Sequence, residues 1–323
     1  MDNIYENKIK VIFMGTPEFA LAPLASLINA DFIEVQAVVT QEDKPVGRKQ
    51  VIMPPPVKVM ALQNGIPVLQ PSKINGNIEF EHALNQLEPD FFVVTAYGKI
   101  LPKNILDIPS HGAINIHGSL LPKYRGASPV EEALLNGDPE TGVTFIKMNE
   151  KLDAGDVIFT ERVKILPEDT SESLRKKLSY LAAAQLPFVL KDILDEVINP
   201  LPQNEDFASY CRKINKSDGE INLLASTAKE VLNKIRAYSI WPKCHIIING
   251  KILKILKAEI DADYICKPYE SHKLLGKNSI GLCTKKGLLI PQKVQLEGKK
   301  ETDIQEFLKG NAELFKKLPT RAK

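Results

Sequence analysis

The sequence predicts a two-part α/β chain: a mostly parallel sheet flanked by helices over residues 1–199, then a small β-barrel over 208–323. Three observations carry this. Short, wholly apolar runs alternate with helix-period stretches through the first half. The stretch PLPQNED (200–206) has the composition of a linker, placed at 200–207. After it, short strand-like runs recur between turn residues.

Taken in order, KVIFMG (10–15) is apolar throughout, as a strand covered on both faces must be. Thr16 and Pro17 offer an N-cap and a first-turn proline to the helix PEFALAPLASLINA. EVQAVVT (34–40) is a second strand, PVKVMALQNG (56–65) a helix stopped at Gly65, and IPVLQ (66–70) a third strand. IEFEHALNQLE (78–88) is helical, FFVVTAYG (91–98) a buried strand, GAINIHG (112–118) a fifth strand, and SPVEEALLNG (128–137) a glycine-ended helix. TGVTFIKMN (141–149) and DVIFTERVKI (156–165) make a strand pair around EKLDAG. The longest helical pattern is 171–199, with a kink expected at Pro187. Such alternation gives a Rossmann-like domain. Beyond the linker, the helix STAKEVLNKIRAY precedes CHIIING, KILKILKAEI, SIGLCTK and GLLIPQKVQL, and an OB-like barrel is the expectation.

Several function classes fall away. The first strand-to-helix turn, Gly15-Thr16-Pro17-Glu18-Phe19-Ala20, lacks the second and third glycines through which a pyrophosphate approaches the backbone, so NAD is not expected. No P-loop pattern occurs. Nothing approaches eighteen consecutive apolar residues, and MDNIYENKIKVIFMG is neither a signal nor a transit peptide, so a cytoplasmic protein without a membrane partner is expected. Cys211, Cys244, Cys266 and Cys283 are scattered without a C-x-x-C pair and read as reduced thiols, with no metal site. The net charge of +2 conceals a split. Residues 1–207 hold 19 Lys and Arg against 28 Asp and Glu, whereas 208–323 hold 23 against 12. The second half, at +11, is expected to face a polyanion, unless its lysines serve only solubility.

The stretch HGAINIHGSLLPKYRGASP (111–129) carries the chemistry. Residues two apart on a strand share a face, so Asn115 and His117 stand together at the carboxyl end, where open α/β sheets bind ligands. A pair that merely caps the following loop is the structural alternative. An amide and an imidazole aimed at one point can hold an oxygen that becomes negative as a carbonyl is attacked. Asp153, in EKLDAGD, is the candidate carboxylate partner. With no Ser or Cys nucleophile in the set, a substrate amine or water would attack directly.

NIHGSLLPKYRGASP together with ETGVTFIKMNEKLDAGD (140–156) resembles the formyltransferases that use 10-formyltetrahydrofolate. FMGTPEFA, QEDKPVGRKQVIMPPPVK (41–58), AYGKILP (96–102) and LEGKKETDIQEFLKG (296–310) look like the branch that formylates initiator methionyl-tRNA. The resemblance implies a catalytic trio at Asn115, His117 and Asp153, and a folate-binding signature at Ser119, Leu120, Leu121 and Pro122. It further implies a tRNA-reading loop carrying Lys44, Arg48 and Lys49, a basic tRNA-gripping barrel, and no metal; a monomer is expected. One departure is Lys151, where a glycine belongs in the pattern. Alternatives left open are a sugar N-formyltransferase, which needs no charge split, a folate-dependent hydrolase, and a non-catalytic RNA-binding protein on the same scaffold.

Overall fold

The structure, a computed structural model, describes residues 8–47, 50–276 and 278–318. Two compact units divide the chain. The first holds Met1–Gly126, Thr141–Val163 and Arg175–Tyr210; the second holds Ala127–Glu140, Lys164–Leu174 and Cys211–Lys323.

In chain order the first half reads β1 (Ile9–Gly15), α1 (Leu21–Ile28), β2 (Ile33–Val39), β3 (Lys44–Val46), β4 (Val51–Met53), α2 (Pro56–Gln63), β5 (Val68–Leu69) and α3 (Ile78–Asn85). Then follow β6 (Phe91–Thr95), α4 (Lys103–Leu106), β7 (Ala113–His117), β8 (Arg125–Gly126), α5 (Pro129–Asn136), β9 (Glu140–Lys147), β10 (Asp156–Lys164), α6 (Ser171–Leu194) and the short β11 (Tyr210–Cys211). The seven-stranded sheet runs β10-β9-β7-β6-β1-β2-β5. Strands β5, β2, β1, β6 and β7 are parallel, while β9 lies antiparallel on β7. Val11, Ile12, Phe13 and Met14 of β1 are wholly buried, which is what an apolar run with both faces covered requires. On one face Ile12, Met14, Val39, Phe92 and Val94 meet Phe80, Leu84 and Ile105 from the helical layer.

Three local expectations change. Thr16 does not cap a helix: its hydroxyl donates to the Tyr97 carbonyl at 3.1 Å, tying together the exits of β1 and β6. A 3-10 turn over Glu18–Ala20 intervenes before α1 begins at Leu21. Gly15 is needed for close approach, since a Cβ there would press on the Phe13 ring and the Ala20 methyl. The longest helix continues through Pro187 but stops at Leu194 rather than 199. The presumed linker is not loose: Leu201 and Val157 exchange backbone hydrogen bonds at 2.8 Å.

The second unit gathers α5, α7 (Ala228–Ala237) and a six-stranded sheet of β12 (His245–Ile248), β13 (Lys251–Asp261), β14 (His272–Leu274), β15 (Ile280–Cys283), β16 (Leu288–Leu296) and β17 (Thr302–Asp303), followed by α8 (Ile304–Asn311). Its ladders are antiparallel. Register shifts around Lys257 bend the long β13–β16 pair, the device by which a sheet curls; the OB-like expectation is met by a curled half-barrel. Thr227 and Glu230 close a reciprocal capping box on α7. The cysteine expectation is corrected. Cys266 and Cys283 are joined by a disulfide, whereas Cys211 and Cys244 are free and buried. The loop before β14 folds back onto β15 and brings together residues 17 apart, a spacing with no motif to announce it. No helix among the described residues is long and apolar enough to cross a membrane.

Tyr97 is buried, its hydroxyl meets no hydrogen-bond partner among the described residues, and burial pushes its phenol up to about 12 from 10.0. The folded state therefore favours the protonated ring. This contribution is whole below the ordinary value and is lost as pH rises through about 12. Tyr97→Phe is expected to keep neutral-pH stability and to lose less stability than the parent between pH 10 and 12; denaturant unfolding of both proteins across that range checks it.

Candidate active site

Strand β7 delivers Asn115 and His117 to the carboxyl end of the sheet, opposite Ile146 and Thr144 of β9. The loop from β9 to β10 brings Asp153 to the same place. Asp153 holds φ +48°, a left-handed backbone that L residues rarely adopt. Two residues on, Gly155 is obligatory, because a Cβ there would fall on the Lys147 carbonyl. These two constraints fold EKLDAG back on itself and turn the carboxylate inward.

The other two side chains expected to be catalytic converge on that carboxylate. Asp153 Oδ1 accepts from Asn115 Nδ2 at 3.3 Å, and Oδ2 accepts from the Gly126 backbone N–H at 2.8 Å. His117 Nδ1 stands 3.6 Å from Oδ2, while its Nε2 donates to the Tyr124 carbonyl at 2.9 Å. A carbonyl can only accept, so the proton on Nε2 follows from the geometry. His117 is 6% exposed. The amide and the ring thus turn toward one carboxylate, in keeping with the shared face that strand periodicity implied. They are gathered about Asp153, with the ring anchored through Nε2 and its Nδ1 turned toward the carboxylate.

Around this centre the structure adds residues that motif reading passed over. Arg125, at 1% exposure the largest fully buried side chain, takes a bidentate grip on Glu205 at 2.8 and 2.9 Å. The Arg125 guanidinium holds the Glu205 carboxyl below its usual range, and Glu205 in turn raises Arg125. Gln203 joins them from the presumed linker, bonding Arg125 and the carbonyls of Asp153 and Gly155. Only the Arg-Gly pair within KYRG was visible as a signal; Gln203 and Glu205 sat in a stretch read for its composition. Lys151, the departure from the family pattern, is exposed in a turn where its N–H donates to Asn149 Oδ1.

The residues expected to bind folate form the turn that leaves β7. Ser119 is buried, and its hydroxyl donates to the Lys123 carbonyl at 2.6 Å. Thr144 of β9 pins the turn, donating to the Ser119 carbonyl at 2.7 Å and accepting from Leu121 N–H at 3.1 Å. Leu120, Leu121 and Pro122 stay half-buried, with a cis peptide between Leu121 and Pro122. A Cβ at Gly142 would strike Leu120 and the Glu161 carbonyl, so that glycine makes room for the turn. Of the predicted tRNA residues, Lys44 is exposed on the β3–β4 hairpin, its ammonium bonded to Gln41 Oε1. Arg48 and Lys49 lie outside the described residues. The hairpin also exposes Val51, Ile52 and Met53, the middle one at 69%.

A mostly parallel sheet gathers an amide, an imidazole and a carboxylate at one strand exit and precedes a curled antiparallel domain, and the comparisons make this arrangement that of a group-transfer enzyme. The chain belongs to the formyl transferase family, whose N-terminal model matches residues 7–190 and whose C-terminal model matches 213–312. It is 42% identical over 302 residues to a methionyl-tRNA formyltransferase of Caldicellulosiruptor saccharolyticus, covering 93% of this chain and 96% of that one. It is 42% identical over 318 residues to a methionyl-tRNA formyltransferase of Bacillus pumilus, covering 96% and 97%. Among solved structures it resembles WlaRD, a sugar 3N-formyl transferase, with a TM-score of 0.64, 23% identity, and 91% and 100% of the two chains covered; that likeness speaks to the fold.

Gly155→Ala is expected to push the Asp153 loop off the Lys147 carbonyl and to lower formyl-transfer turnover by about a hundredfold, as displacements near 1 Å do; steady-state kinetics beside a melting curve checks it.

Proposed function

We propose that this chain transfers the formyl group of 10-formyltetrahydrofolate to the α-amine of methionine on initiator methionyl-tRNA, in the cytoplasm and as a monomer. The convergence of Asn115 and His117 on Asp153 beside the Leu120–Pro122 wall carries the reading. The names of the curated relatives support the acceptor. In this reading residues 1–199 are catalytic, 200–207 connect, and 208–323 grip tRNA.

The residues present fit the donor. An apolar wall stiffened by Pro122 and pinned by Thr144 suits a flat heteroaromatic ring, with polar groups at its rim. When bound, 10-formyltetrahydrofolate supplies an activated formyl carbon on its N10 nitrogen. The amide of Asn115 has two N–H donors; one engages Asp153, and the second serves the oxygen on which charge develops. Asp153 is the acceptor nearest to hand for the proton the amine must shed, and the group from which N10 would take one as the formyl–N10 bond breaks; His117, held by Tyr124, faces that carboxylate. The amine itself needs little help: a free α-amine titrates near about 8, and an adjacent ester lowers that further. Ser119 shapes the turn through its bond to Lys123, leaving Leu120, Leu121 and Pro122 to face the donor. Lys44, Arg48 and Lys49 of the basic loop are assigned to the tRNA acceptor end, where Arg can meet phosphate and base edge together. The +11 charge of residues 208–323 suits the many phosphates of tRNA.

The deciding assay mixes protein, 10-formyltetrahydrofolate and charged initiator tRNA, with charged elongator tRNA as control. Transfer selective for the initiator is expected; formate release without any acceptor would make the protein a hydrolase. Asn115→Ala should lower turnover on the order of a hundred- to a thousandfold with tRNA affinity little changed, measured by single-turnover kinetics and filter binding. Affinity for tRNA should fall steeply and log-linearly as salt rises, which the same binding assay reads.

A further inference from the structure

We infer that Gln203 is a positioning residue for Asp153, and that Arg125 sets Gln203 in the orientation this task requires. The inference rests on the catalytic reading of Asp153.

A guanidinium has five N–H donors and no acceptor, and a buried one must have them all met. Arg125 meets them without remainder. Nε donates to Gln203 Oε1 at 3.0 Å, and Nη2 donates to the same oxygen and to Glu205 Oε1, each at 2.8 Å. Nη1 donates to Glu205 Oε2 at 2.9 Å and to the Tyr210 hydroxyl at 3.3 Å.

The two bonds from Arg125 to Gln203 decide which way the glutamine amide points. Reversed, its NH2 would face a group that can only donate. The oxygen must therefore face Arg125, and both amide hydrogens must point away. They go to the carbonyls of Asp153, at 2.8 Å, and Gly155, at 2.7 Å. Those carbonyls belong to the turn in which Asp153 holds its left-handed φ of +48°. From the other side, the Gly126 N–H, one residue beyond Arg125, holds the Asp153 carboxylate at 2.8 Å. The backbone and side chain of Asp153 are thus fixed from two directions by the segment around Arg125. Gln203 itself comes from a strand-like strap that pairs at Leu201 with Val157.

The test uses the full chain, steady-state kinetics for both substrates, and melting curves. Gln203→Leu is expected to lower kcat by about ten- to a hundredfold with both KM values within about twofold. Gln203→Glu keeps an acceptor for Arg125, and hence the fold, but cannot donate to the two carbonyls; it should lose kcat equally. The double variant Gln203→Leu with Asp153→Asn should be no slower than Asp153→Asn alone. A wild-type kcat in Gln203→Glu, or losses that multiply in the double variant, would make Gln203 a structural partner of Arg125 only and overturn the inference. A slowed Asp153→Asn beside an unimpaired Gln203→Leu overturns it while leaving the site reading intact. An unimpaired Asp153→Asn removes the site reading, and the inference with it.

Discussion

Everything at the site depends on where one carboxylate is held. Asp153 carries the bonds that give Asn115 and His117 a common direction, and it sits on a loop that has no regular structure of its own. The strand can place two side chains on one face by periodicity alone. It cannot bring the third group to them. That is done by an uncommon backbone conformation, a glycine too close to a neighbouring carbonyl for any side chain, and an N–H from a separate segment. A short run of irregular chain is thereby given the rigidity that catalytic geometry demands.

The sheet and the active-site face were legible for a plain physical reason. Strands covered on both faces must be largely apolar, so β1 and β6 announce themselves and their carboxyl ends follow. What composition cannot carry is direction: nothing in TGVTFIKMN says that β9 runs antiparallel to β7. Thr16 had the right chemistry for a helix cap, but a carbonyl 81 residues away competed for its hydroxyl and won. The Cys266–Cys283 bond was invisible because its partners meet through loop folding rather than through spacing. At the site, Asn115 and His117 on one face with Asp153 as their carboxylate partner could be read, but what holds the three in place could not. The holding partners, Tyr124 and Gly126, act through their backbones and leave no side-chain signature.

Arg125 and its neighbours show the opposite of a motif. A buried guanidinium is tolerable only when every donor is met, which makes the stretch around Gln203 and Glu205 part of the first unit's interior chemistry although its residues are mostly exposed. A polar, proline-flanked composition normally signals a tether. Here the same residues supply amide and carboxylate groups that a buried cation requires.

The division of the chain into interleaved segments has a consequence for biogenesis. Helix α5 belongs with α7, and the Asn233 amide reaches the Leu135 carbonyl across a separation of 98 residues. On a ribosome, α5 therefore emerges long before the surface it buries Val130 and Leu134 against has been made. Nor would cleaving the polypeptide near residue 200 yield two self-sufficient pieces, because the later fragment would lack 127–140 and 164–174. The first unit has all its segments once Tyr210 is made, whereas the second must hold its early pieces in waiting until synthesis is nearly complete.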